Sequence, residues 1–157
     1  MSDQTKSSIL SRRAVLGLGA LGVAGAAAGG WVVFSRPSFA GQALSVSEAH
    51  KSAKAGQIFL IDIRRPDEWQ NTGVGEGAHP IDMRRKDFIA ALDQVTGGDK
   101  SVPVALICAR GVRSARLSNR LTEAGYTNII DVPEGMLGSP AGPGWLQSGL
   151  PVRDFES

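Results

Sequence analysis

The residues best equipped for chemistry in this 157-residue chain lie in one short run, Cys108-Ala109-Arg110-Gly111-Val112-Arg113-Ser114. Cys108 is the only cysteine, which excludes an intramolecular disulfide, and with only His50 and His79 beside it no Cys/His zinc cluster can be assembled. Whatever Cys108 does, it does as a single thiol. The run sits between an apolar stretch, Val102 to Ile107, and a stretch of helical period, Arg113 to Ala124, with Ala115, Leu117, Leu121 and Ala124 on one face. A loop that leaves a strand and enters a helix turns its backbone N–H groups, and the positive end of the helix dipole, toward whatever it encloses. A thiol held there beside Arg110 and Arg113 is favoured as the nucleophilic thiolate, and Gly111 allows the tight turn that brings the N–H groups together. The competing reading of Cys108 is a small buried hydrophobe.

Such a loop needs a scaffold, and the rest of the chain reads as one. Short apolar runs alternate with amphipathic stretches, the pattern of βα units on a parallel sheet, so the expected class is α/β. Ser45 is an N-cap candidate for a helix closing at Gly56, and Ile58 to Ile63 is an apolar strand buried on both faces. Asp67 to Gln70 forms a helical turn after Pro66, Gly73 to Gly77 connects to a strand over Ala78 to Asp82, and Asp87 to Leu92 starts a helix closed by Gly97-Gly98. Gly125 caps the helix after the cysteine loop, and Ile129 to Val132 is the last strand. Gly135 to Gly144 reads as loop, and Trp145 as packing for a final helix. His79 is expected to be structural, and no role falls to His50. Arg84-Arg85-Lys86 is a solvated helix entry, with an electropositive rim for anions as the alternative.

Charge narrows the function classes. The chain carries +2 overall, but Lys6, Arg12, Arg13 and Arg36 against Asp3 put +3 before residue 41 and leave −1 on the rest. A balanced domain gives no reason to expect nucleic acid as a partner. Residues 14 to 34 carry no charge and follow Arg12-Arg13. The chain therefore divides into residues 1–40, an export signal or N-terminal membrane anchor, and residues 41–157, one domain with a single core. Ser11-Arg12-Arg13-Ala14-Val15-Leu16 resembles a twin-arginine export signal, and Ser38-Phe39-Ala40 offers a signal-peptidase site. If uncleaved, residues 14 to 34 suffice to anchor the chain in the inner membrane. Either way the domain is expected in the periplasm.

The cysteine loop, with four residues between Cys108 and Arg113 and then Ser114, resembles the active-site loop of rhodanese-type sulfurtransferases. Leu60-Ile61-Asp62-Ile63-Arg64-Arg65-Pro66-Asp67-Glu68-Trp69 resembles the family's second signature, a strand ending in Asp-x-Arg followed by Glu and an aromatic. Gly125-Tyr126-Thr127-Asn128 and Gly149-Leu150-Pro151-Val152 resemble further landmarks. Two departures are visible: Gly73 to Ala78 lacks the family's histidine, and Gly135 to Gly149 is longer than usual.

The resemblance implies a three-layer rhodanese-like fold, about five parallel strands flanked by helices. It implies a sulfurtransferase of the thiosulfate:cyanide type in which Cys108 takes sulfane sulfur from a small anionic donor as a persulfide and passes it to a thiophilic acceptor. No cofactor or metal is called for, and a monomer is expected. Ala109, Arg110, Gly111, Val112, Arg113 and Ser114 would form the substrate-binding loop, with Arg113 on the donor anion and Arg110 either a second anion contact or a solvated charge. Asp62, Arg64 and Glu68 would support, Asp62 and Arg64 by holding the loop and its neighbouring strand end through an ion pair or backbone hydrogen bonds. A sulfur relay to a protein partner uses the same thiolate and stays open. A phosphatase of related fold needs five residues between Cys and Arg, and position 114 is serine.

Overall fold

The computed structural model describes residues 37–156. The leader over residues 14 to 34, with its arginine pair, lies outside them. Among the described residues no helix is long and apolar enough to cross a membrane.

In chain order the elements are β1 (Gln42–Ala43), α1 (Val46–Lys54), β2 (Phe59–Asp62), α2 (Pro66–Thr72), β3 (Val74–Gly75), β4 (Ala78–Pro80), α3 (Phe88–Thr96), β5 (Val104–Ile107), α4 (Val112–Glu123), β6 (Ile129–Val132), α5 (Gly144–Gln147) and β7 (Val152–Arg153). Five strands form a parallel sheet in the order β1-β6-β5-β2-β4, the α/β architecture expected from the alternating pattern. β5 lies at the centre, and its last residue, Ile107, is level with Asp62 on β2 and Val132 on β6. Three strand ends therefore meet where the cysteine loop begins.

Both faces of the sheet are covered, which is why its central strands read as continuous apolar runs. On one face Ile61, Leu106 and Ile129 pack against Phe88 and Leu92 of α3 and Leu117 and Leu121 of α4. On the other, Leu60, Ala105, Ile107, Ile130 and Val132 pack against Val46 and Ala49 of α1 and Trp145 of α5. Ser45 caps α1 in a full capping box with Glu48.

The boundaries move where backbone chemistry dictates. β5 starts at Val104 and not Val102, because Pro103 has no N–H to give a ladder. α4 ends at Glu123, and Ala124, expected on its buried face, is exposed beyond the last turn. The segment expected to be all loop from Gly135 contains the Ser139–Gly142 bridge before α5 follows. A two-stranded antiparallel sheet, β3 with β7, brings the C-terminal end of the chain back onto the core, where Phe155 tilts against Trp69. Phe39 also packs on the core, and the Ser38 carbonyl accepts from the Asn119 amide at 3.1 Å.

Candidate active site

Cys108 follows β5 directly and is 1% exposed, part of the apolar cluster beneath α4. Its thiol donates to the Ser114 hydroxyl at 3.6 Å, and that hydroxyl donates to the Gly111 carbonyl at 3.1 Å. The first i→i−4 bond of α4 runs from Ala115 to Gly111, at 3.2 Å, so the N–H groups of residues 112 to 114 have no acceptor within the helix. No side chain caps this helix. Gly111 sits in the left-handed region at φ 78°, and a Cβ there would lie 2.2 Å from the Pro133 carbonyl oxygen. Only glycine allows that approach of loop to neighbouring backbone.

The loop is stitched along one side to the chain that follows β6. Met136 N–H donates to the Cys108 carbonyl at 2.8 Å, and Leu137 N–H to the Ala109 carbonyl at 2.9 Å. Arg110 donates to the Gly138 carbonyl at 3.4 Å. It also lines a cavity of about 280 Å³ on the loop's flank, together with Gly111, Phe39, Ala43, Asp131 and Pro133. Cys108 is not on that wall.

Glu68 and Arg113, from the two sequence signatures, meet in a two-pronged pair: Nη1 to Oε2 at 2.7 Å and Nη2 to Oε1 at 2.6 Å. Arg65 adds its backbone N–H at 3.1 Å and its Nε at 3.2 Å to the same carboxylate. Burial alone would push the Glu68 carboxyl up, but Arg113 and Arg65 overturn this and hold it down at about 2, against an ordinary 4.5. The Arg113 guanidinium is correspondingly pushed up, by its hydrogen bonds to Glu68 first. A carboxyl lowered on folding stabilises above its unfolded pKa and loses that contribution as pH falls through the folded one. Wild type should therefore lose up to about 3 kcal/mol on this account between pH 4.5 and about 2. Urea unfolding across that window should show a shallower loss for Glu68→Gln; equal slopes would refute the assignment.

Asp62 and Arg64 form the expected ion pair, Nη2 to Oδ2 at 2.7 Å and Nε to Oδ1 at 2.9 Å, with both side chains buried. Their reach differs from the expectation. The outer edge of the guanidinium binds Thr72 Oγ1 at 2.8 Å and the Gly73 carbonyl at 2.7 Å, so the pair holds the end of α2 and not the cysteine loop. The reason is direction: Arg64 lies past the end of β2, where the chain turns into α2. The same guanidinium also donates to the backbone carbonyl of Glu68, on α2, at 3.4 Å. Arg84, Arg85 and Lys86 are exposed as a solvated helix entry requires, Arg84 paired with Asp82 at 2.6 Å and Arg85 with Asp87 at 2.7 Å.

Two buried carboxylates were not singled out from the sequence. Glu134 accepts from Val46 N–H and Gly144 N–H, each at 3.1 Å, joining the starts of α1 and α5. Asp131 stands on β6 beside Leu106, one residue short of the level at which β5 ends and two short of Cys108. Its Oδ1 has no hydrogen-bond partner; burial pushes its carboxyl up, against the Ser114 hydroxyl and the Val132 backbone. The signal for both was a charge inside or just after an apolar strand. His50, given no role, holds Glu76 at 2.8 Å and sets its ring edge-on to Trp145.

Comparison with known proteins follows the same geometry. A family model described as a rhodanese-like domain matches residues 45–138. A Rickettsia rickettsii protein, described as an uncharacterized RP600 homolog, is 28% identical over 99 residues, 59% of this chain and 80% of its own. The solution structure of a homodimeric polysulfide-sulfur transferase from Wolinella succinogenes is 29% identical, with a TM-score of 0.56, over 73% of this chain and 80% of that one. A rhodanese-related protein from Thermoplasma volcanium shares the fold at 24% identity and a TM-score of 0.52, over 72% of this chain and 98% of that one.

Proposed function

The chain belongs to the rhodanese-like domain family, and from that premise we propose that it is a sulfurtransferase whose Cys108 carries sulfur as a persulfide. The observation that carries the reading is the place of Cys108: at the end of the central strand, under the uncapped start of α4, with the Ser114 hydroxyl at 3.6 Å. The Cys108 thiolate attacks the outer sulfur of a donor such as thiosulfate. A new S–S bond forms, the donor's bond to that sulfur breaks, and sulfite leaves with the electron pair. The resulting anionic persulfide is favoured at a helix start whose first N–H groups have no acceptor within the helix and whose dipole attracts negative charge. A thiophilic acceptor then attacks the outer sulfur and returns Cys108 as thiolate. The Wolinella relative is a polysulfide-sulfur transferase, which adds polysulfide to the donors worth testing.

A thiol 1% exposed is reached only when the loop or its rim yields, so sulfur uptake should be slower than for a surface thiol. The proposal places the domain outside the cytoplasm, supported by Arg12-Arg13 ahead of the uncharged stretch 14 to 34. The test is to incubate the protein with thiosulfate or polysulfide and follow its intact mass. One added sulfur, removed again by cyanide with release of thiocyanate, is the expected result. No gain from either donor would sink the reading.

A further inference from the structure

Ser38-Phe39-Ala40, the signal-peptidase motif, is a sequence feature that the sulfur chemistry leaves without a use. It does not hang loose ahead of the domain. Phe39 is half-buried and packs on the apolar cluster beneath α4, the one that also contains Cys108. The Ser38 carbonyl accepts from the Asn119 amide of α4 at 3.1 Å. A Cβ at Gly41 would collide with the Phe39 ring, so the glycine is what lets the ring fold back over the chain. Beyond the Ala40–Gly41 bond, Gln42 and Ala43 pair as β1 with Ile130 and Asp131 of β6, and the Leu44 N–H donates to the Asp131 carbonyl at 3.0 Å. The bond is therefore tied to the fold within two residues on either side. Ser38 and Ala40 are exposed, so the recognition side chains stay in view while the backbone around them is held.

We infer that this docking closes the Ala40–Gly41 bond to signal peptidase once the domain has folded, so a domain exported folded keeps residues 1–40 as its tether. The inference rests on the export reading of the leader and not on the chemistry of Cys108. A protease takes its substrate as an extended strand and pairs with the backbone over several residues, so a bond flanked by native contacts is cut only from a locally opened state. The reaction withheld is a single hydrolysis: water adds across the peptide bond and leaves the Ala40 carboxylate and the Gly41 ammonium. The order of events then decides the product. A chain exported unfolded meets the peptidase before Phe39 docks, whereas the twin-arginine route, whose signal residues 11–16 resemble, carries its passenger folded. Cleavage would also take Phe39 from the wall of the cavity of about 280 Å³ beside Arg110 and Gly111.

The test incubates the full-length protein in detergent micelles with purified signal peptidase and reads the cut by intact mass. A chain of residues 1–47, which has the leader and the motif without the domain, is the unfolded reference. It should be cut after Ala40, and the folded wild type about tenfold or more slowly. Phe39→Ser combined with Asn119→Ala unties the segment and leaves Ser38 and Ala40, the residues that the peptidase reads, in place. That variant should be cut about tenfold or more faster than the wild type while its thermal midpoint shows a folded domain. A wild type cut as fast as the reference, or a folded variant as resistant as the wild type, would overturn the inference and leave the export reading standing. A reference that is not cut would remove the processing site and the inference with it. Should the variant unfold, the ratio of wild type to reference decides.

Discussion

Cys108→Ser is expected to fold as the wild type does and to take up no sulfur from any donor. The folding half follows from size and surroundings: oxygen is slightly smaller than sulfur, and the Ser114 hydroxyl already offers position 108 a polar partner. A buried hydroxyl with a partner costs little, on the order of 1 kcal/mol. The chemical half follows from nucleophilicity. A serine hydroxyl needs a base to activate it, and the side chain bonded to position 108 is another hydroxyl. Intact mass after exposure to donor, read beside the thermal midpoint, checks both halves. Sulfur on the serine variant would mean that another group carries it, and a collapsed midpoint would mean that the thiol is first of all a packing residue.

Arg64→Met should unfold far more readily than the wild type. Arg64 is 1% exposed and Asp62 fully buried, so the substitution strands a carboxylate that keeps only the backbone N–H of residue 64, 3.1 Å away in the wild type. Breaking one side of a buried pair costs about 3–5 kcal/mol, a large part of the roughly 5–15 kcal/mol that holds a domain together. Thr72 and the Gly73 carbonyl lose the guanidinium as donor, which loosens the end of α2. Urea unfolding of Arg64→Met and of Arg64→Met with Asp62→Leu separates the causes. If the stranded charge dominates, the double variant recovers much of the loss. A double variant no better than the single would place the cost in the lost grip on α2.

The sequence made the cysteine loop visible because its ingredients are contiguous: an apolar strand, a thiol, a glycine and an amphipathic helix within about twenty residues. The Glu68–Arg113 pair was out of reach of the same reasoning. The partners are 45 residues apart, and only the adjacency of β2 and β5 brings them together. β1, β3 and β7 are two residues each, too short to show an alternating period. α5 is the final helix that Trp145 was expected to pack, and the glycine-rich run from Gly135 hid only where it starts, at Gly144. Ala124 looked like core because its spacing fitted, yet the helix stops one residue earlier and turns it outward. The direction of Arg64 was the subtler miss: the family resemblance suggests the pair with Asp62 but not where the rest of a guanidinium points.

The stitching of the cysteine loop gives its movement an address in the spectrum. Met136 and Leu137 send their amide protons to the carbonyls of Cys108 and Ala109, so any motion that uncovers the thiol on that side must release those two protons to solvent. Their hydrogen-exchange rates should rise together, ahead of those of the central strands, and the rate of thiol alkylation should follow them. The backbone amides of two residues with no part in the chemistry would then report when the site is open.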